Sequence, residues 1–151
     1  MRVGHHVVPH LAGSGGLTLD EDEMKSWGEQ LGAASTPPLV IALTGELGAG
    51  KTTLAQAIFS GYGVTEPVTS PTYTIVQQYH SPRSIAYHID LYRLNDVAEL
   101  TNIGWNDIVA ERALVIVEWP ERAGDRLPDA PLHIELAYVA GDPVRRLLLA
   151  G

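Results

Sequence analysis

The sequence predicts an α/β fold: a mostly parallel sheet flanked by helices, with an antiparallel edge hairpin at the C-terminus. Three observations carry this. Leu39–Leu43 and Ala113–Val117 are continuous apolar runs, as expected for strands buried on both faces of a parallel sheet. A glycine-rich loop follows the first run directly and leads into a helical pattern. Two strand-like runs near the end, Leu132–Val139 and Val144–Leu149, flank the turn signal Ala140-Gly141-Asp142-Pro143.

Length and composition bound the rest. The chain has 151 residues, enough for one compact domain. An apolar fraction of 45% and a charged fraction of 19% argue against disorder. The absence of cysteine excludes a disulfide scaffold, a thiolate zinc site and a catalytic thiol. Ten basic and 18 acidic residues give a net charge of −8, which argues against gripping nucleic acid through a basic patch. No apolar run reaches the roughly 20 residues that span a bilayer, so the expected location is the cytoplasm, with no membrane partner. Residues 1–16 read as a flexible leader, rich in glycine and histidine, ahead of a domain over 17–151.

The elements follow in order. Thr18 is placed to cap a helix running to about Gly32, with Glu21 completing a capping box. Met24, Trp27 and Leu31 give that helix one apolar face, and Ala33–Pro38 reads as a loop. After the Leu39–Leu43 strand, Lys51–Gly61 reads as a helix that Gly61 or Gly63 ends. Strands are expected over Tyr73–Tyr79 and Ile85–Ile89. Asn95–Ala110 looks helical, with Gly104 dividing it into two short helices or interrupting one. The chain from Pro120 to Pro131 reads as loop.

The glycine-rich loop is Gly45-Glu46-Leu47-Gly48-Ala49-Gly50-Lys51-Thr52, followed by Thr53. It matches the P-loop pattern G-x-x-x-x-G-K-T, which makes the domain a single P-loop NTPase domain. Glycines let successive backbone N–H groups turn inward around phosphate oxygens. The lysine reaches the β- and γ-phosphates and the threonine hydroxyl is placed for Mg²⁺. Only two of the ten basic residues are lysines, and Lys51 is one of them. With this composition, about 0.002 chance matches are expected in the chain.

Such a site needs a carboxylate at a neighbouring strand end to hold Mg²⁺ or its waters. Asp90 ends one candidate strand and Glu118 ends the other. The assignment of direct ligand and water-orienting group stays open between them. His88 shares strand parity with Asp90, either orienting that carboxylate or packing in the core. Trp119 is either a core indole or a neighbour of the nucleotide. Thr72, in Ser70-Pro71-Thr72, is either a γ-phosphate sensor in a switch-like loop or a turn hydroxyl.

Four blocks together resemble the TsaE family (formerly YjeE), bacterial ATPases of tRNA threonylcarbamoyladenosine biosynthesis. They are Gly45–Thr53, Ser70-Pro71-Thr72-Tyr73-Thr74, His88-Ile89-Asp90-Leu91-Tyr92-Arg93-Leu94 and Val117-Glu118-Trp119-Pro120. The resemblance implies slow ATP hydrolysis in support of the threonylcarbamoyl modification of adenosine 37 in tRNA. It implies nucleotide-dependent association with the TsaB–TsaD heterodimer, tRNA being contacted through those partners. By position, Lys51 contacts phosphates, Thr52 and Glu118 ligate Mg²⁺, Asp90 supports metal or water, and Thr72 lies in the switch-like loop. The segment Thr18–Glu21 is expected near the adenine of ATP or ADP. Two other readings are a small-molecule P-loop kinase and a nucleotide-gated regulatory module. Phosphate transfer to a metabolite identifies the first; ATP–GTP competition tests the second.

Overall fold

The computed structural model describes residues 2–3, 6–7, 16–46, 48–68, 75–128 and 131–151. Strands β1 (Arg2–Val3) and β2 (His6–Val7) pair only with each other among the described residues. The central sheet comprises β3 (Gly16–Leu19), β4 (Leu39–Gly45), β5 (Val76–His80), β6 (Ile85–Asp90), β7 (Leu114–Glu118), β8 (Leu132–Val139) and β9 (Asp142–Ala150). Their order is β3-β9-β8-β4-β7-β6-β5. The inner four strands, β8, β4, β7 and β6, run parallel, and antiparallel strands complete both sides. The C-terminal hairpin forms as expected, and β3 adds one more strand outside it. Most of the expected leader 1–16 lies outside the described residues; Gly16 already pairs with Leu149 in the sheet.

Burial follows the strand patterns. Every residue of β7 is buried, as its continuous apolar run demands. In β8, residues 132 to 136 alternate buried and exposed, because helices cover only one face there. One layer holds α1 (Glu21–Ala34) and α2 (Lys51–Tyr62), packed on Leu39, Ile41, Leu43, Leu114, Ile116 and Ile134. The opposite layer holds α3 (Glu99–Asn102), α4 (Trp105–Ala110) and a 3-10 helix (Pro120–Arg126), packed on Tyr87, Ile89, Val115 and Val117. Gly104 therefore divides two short helices, with φ of 79°. The segment after Pro120, expected as loop, begins with helical turns.

The start of α1 corrects the sequence expectation. Thr18 lies in β3, and the cap is Asp20. Its carboxylate accepts from the Glu23 N–H at 2.8 Å, while Glu23 accepts from the Asp20 N–H at 2.9 Å. The capping box is real but shifted two residues, because pairing with β9 holds Leu17–Leu19 extended. At the other end the helix reaches Ala34, not Gly32. Arg83 donates to the Gly32 and Ser35 carbonyls at 2.9 and 3.1 Å, supplying the cationic C-terminal cap that α1 lacks internally.

Helices α1 and α2 meet through glycines. A Cβ on Gly32 would lie 2.0 Å from the Ile58 carbonyl oxygen, and one on Gly61 would lie 2.1 Å from that of Glu29. Any side chain here would force the two helices apart. Met24, Trp27 and Leu31 are buried at this layer, as the helical spacing predicts. Gly63 ends α2 with φ of 102°.

Candidate functional site

Strand β4 delivers the chain into the loop at Gly45, and α2 begins at Lys51. Gly50 sits between them with φ of 102°, a left-handed geometry that L side chains rarely adopt. It turns the backbone so that the first N–H groups of α2 point out of the helix end, where they favour an anion. Leu47 lies outside the described residues, as does Thr72 and the rest of the Ser70–Thr74 block.

Side-chain parity and register place the carboxylates. In β7, Leu114 and Ile116 face the α1–α2 layer, so Glu118 faces the same way. In β6, Ala86 takes that side, and His88 and Asp90 follow it. The parallel register sets Asp90 beside Glu118 and His88 beside Ile116. Both carboxylates thus emerge at the carboxyl ends of parallel strands, where ligands lie in open α/β sheets.

The result is a cleft of about 350 Å³ lined by Gly48, Gly50, Lys51, Thr52, Thr53, Asp90, Tyr92, Glu118 and Trp119. It gathers eight of the residues proposed from sequence and adds Tyr92. Ala49 lies on the other side of the loop, in a cavity of about 420 Å³ with Leu19, Asp20, Glu21, Met24, Val144 and Arg146. Gly45 and Glu46 line a third hollow together with Trp119 and Tyr138.

Lys51 is buried, with its ammonium donating to the Gly45 carbonyl at 2.5 Å. The same nitrogen stands 4.3 Å from the centre of the Trp119 ring. Trp119 in turn lies 5.0 Å from Tyr92, and the Arg122 guanidinium stands 5.6 Å over Tyr92. Lys51, Trp119, Tyr92 and Arg122 form one chain of cation–ring and tilted ring–ring contacts, three of the four lining the cleft. Trp119 does both: half-buried, it packs against the second core cluster and lines the cleft, and its φ of 57° is the one positive value on a non-glycine described residue. That backbone costs on the order of 1 kcal/mol or more and turns the ring back over Lys51. Tyr92 and Arg122 escaped the sequence reading. Tyr92 shares parity with Asp90, the one local sign of its position; Arg122 carries no such sign.

Asp90 accepts from the Tyr92 N–H at 3.0 Å. Burial pushes its carboxyl above the ordinary value, and the Glu118 charge adds to the rise; the Tyr92 N–H, His88 and Lys51 oppose it. His88 is fully buried and bonded at 2.6 Å to Glu118. Of the two expectations, the buried position is met, while the carboxylate His88 bonds is Glu118 on the neighbouring strand and not Asp90.

Comparison with known proteins supports the four-block resemblance. A family model described as threonylcarbamoyl adenosine biosynthesis protein TsaE matches residues 18–147. The chain belongs to the TsaE family. Curated TsaE relatives include those of Nostoc, 38% identical and covering 79% of this chain and 75% of its own length. The Bacillus subtilis relative is 34% identical, with 86% and 80% covered. The Mycobacterium bovis relative is 35% identical, with 89% and 86% covered. All three carry the description tRNA threonylcarbamoyladenosine biosynthesis protein TsaE. The crystal structure of Bacillus subtilis YdiB superposes with a TM-score of 0.71 at 28% identity, covering 90% of this chain and 85% of that one. No helix among the described residues is long and apolar enough to cross a membrane.

Proposed function

We propose that this TsaE-family chain is the ATP-binding and ATP-hydrolysing component of the machinery that installs threonylcarbamoyl on adenosine 37 of tRNA. The observation that carries the reading is the single cleft uniting Lys51, Thr52, Asp90 and Glu118 at the start of α2. The loop N–H groups and Lys51 bind the phosphates. The cavity lined by Leu19, Asp20, Glu21 and Met24 lies directly across the loop and takes the adenine, in line with the place expected for Thr18–Glu21.

The donor set suits Mg²⁺. The Thr52 hydroxyl and the Asp90 and Glu118 carboxylates line the cleft as oxygen donors, leaving the remaining positions to phosphate oxygens and water. The mutual repulsion of Asp90 and Glu118 is what a dication relieves. Thr52, Glu118 and Asp90 would hold the ion, which supplies charge neutralisation on the phosphates. Lys51 leaves the Gly45 carbonyl for the phosphates, and its ammonium stabilises charge as water displaces ADP from the γ-phosphoryl group. The products are ADP and inorganic phosphate.

A net charge of −8 suits protein partners better than direct contact with tRNA. In this reading the chain associates, when nucleotide is bound, with the TsaB–TsaD heterodimer, and tRNA is reached through those partners. Thr72 belongs to the switch-like loop. The test is reconstitution of tRNA modification with TsaB and TsaD. The pair is expected to bind the wild-type chain and stimulate its slow hydrolysis. Partners that neither bind nor change turnover overturn the reading.

A further inference from the structure

We infer that His88 is a positioning residue: its Nε2–H fixes Glu118 in the orientation that presents the free carboxylate oxygen to the cleft. The inference rests on the reading of Glu118 as a metal-site carboxylate. Its geometric half stands without it.

The hydrogen bonds select the tautomer. Nε2 lies 2.6 Å from Glu118 Oε2, while Nδ1 is buried with no partner among the described residues. A proton on Nδ1 would be buried without an acceptor, at a cost of about 1–3 kcal/mol. Nε2 is therefore the donor, and Oε2 of Glu118 accepts. Oε2 is committed, and Oε1 is the oxygen left for a ligand. Glu118 is only 4% exposed and His88 fully buried, so water does not compete for the bond. The Phe59 ring lies 5.7 Å from the imidazole, centre to centre, on the helix that Lys51 begins. The orientation of Glu118 is thus referred, through His88 and Phe59, to the helix that presents the phosphate loop. Partners of this kind behind a metal ligand are typically worth about 10–100-fold in affinity or activity.

Three variants separate positioning from packing. His88→Phe keeps a ring and removes the donor. His88→Gln places an N–H donor near the position of Nε2. Glu118→Gln removes the charge that the donor serves. The expected result for His88→Phe is a folded protein whose Mn²⁺ affinity, measured with a non-hydrolysable ATP analogue, falls about 10–100-fold. Binding of the analogue without metal stays within twofold. With Mg²⁺, kcat falls while KM changes less, and His88→Gln recovers most of the Mn²⁺ affinity.

A metal-free readout completes the test. Long-range ¹H–¹⁵N spectra should show the His88 ring as the Nε2–H tautomer, assigned by its loss in His88→Phe and perturbed in Glu118→Gln. Unchanged Mn²⁺ affinity in His88→Phe overturns the inference, as does a His88→Gln no better than His88→Phe. An Nδ1–H tautomer also overturns it. If the wild type binds no Mn²⁺ with nucleotide, the metal-site reading of Glu118 has failed, while the spectrum still decides the tautomer.

Discussion

The phosphate loop has two unlike sides. On one, Lys51, Asp90, Glu118, Tyr92 and Trp119 form a cleft of charges and aromatic rings at the ends of β6 and β7. On the other, Leu19, Met24 and Val144 form a cavity with Asp20 and Arg146, built from the sheet edge and the start of α1. The first side rests on the inner parallel strands, whose register leaves little freedom. The second rests on an antiparallel strand and a helix cap. In the proposed reading the first side holds the phosphates and metal, and the second takes the base.

The largest expected effect breaks the first side. Lys51→Ala should reduce ATP hydrolysis about 100-fold or more and abolish multiple-turnover modification, with circular dichroism and the melting curve unchanged. Normal turnover by a folded variant would end the role given to Lys51. Next, Gly32→Ala should break the link between the sides, because its methyl group meets the Ile58 carbonyl. A loss of about 1–3 kcal/mol is expected in denaturant unfolding.

Val144→Asp sharpens the contrast. Val144 is 69% exposed and lines only the second cavity among the clefts described. ATP should bind about tenfold more weakly, roughly 1.4 kcal/mol, while tripolyphosphate binds as before. Equal losses for both ligands would show that the cavity does not take the base.

The smallest effect concerns pH. The folded protein raises the Asp90 carboxyl above its ordinary 3.8. Its protonated form is therefore the one that folding favours. That stabilisation is fully present below the unfolded value and is lost as pH rises through the folded one. Ligand-free Asp90→Asn should be more stable than wild type at pH 7, the gap closing on acidification. Chemical denaturation at pH 7 and in mild acid measures it.

The two sides differed in legibility too. Leu39–Leu43 and Ala113–Val117 announce buried parallel strands by composition, and a strand's parity then aims Asp90 and Glu118 at one layer. The partner of His88 was not legible, because parity gives the face but register gives the neighbour. Thr18 misled for a related reason. Its hydroxyl is a sound cap, but strand pairing with β9 outweighs that local preference and hands the cap to Asp20. Trp119 reads from sequence equally as a core indole or as a neighbour of the nucleotide. Only its left-handed backbone, invisible in composition, brings it over Lys51. Arg122 and Arg83 act across the chain, so no local window contains both ends of their contacts.

The glycine contact between α1 and α2 has a mechanical consequence. Bare backbones touch at Gly32 and Gly61, so neither helix can roll or slide on the other without collision. Met24, one turn into α1, already abuts Gly50 at the mouth of α2. Among the described residues, the α1 wall of the second cavity is therefore packed directly against the start of α2. Moving α1 against α2 would first have to part those backbones, so the α1 wall of the second cavity keeps its place beside the start of α2.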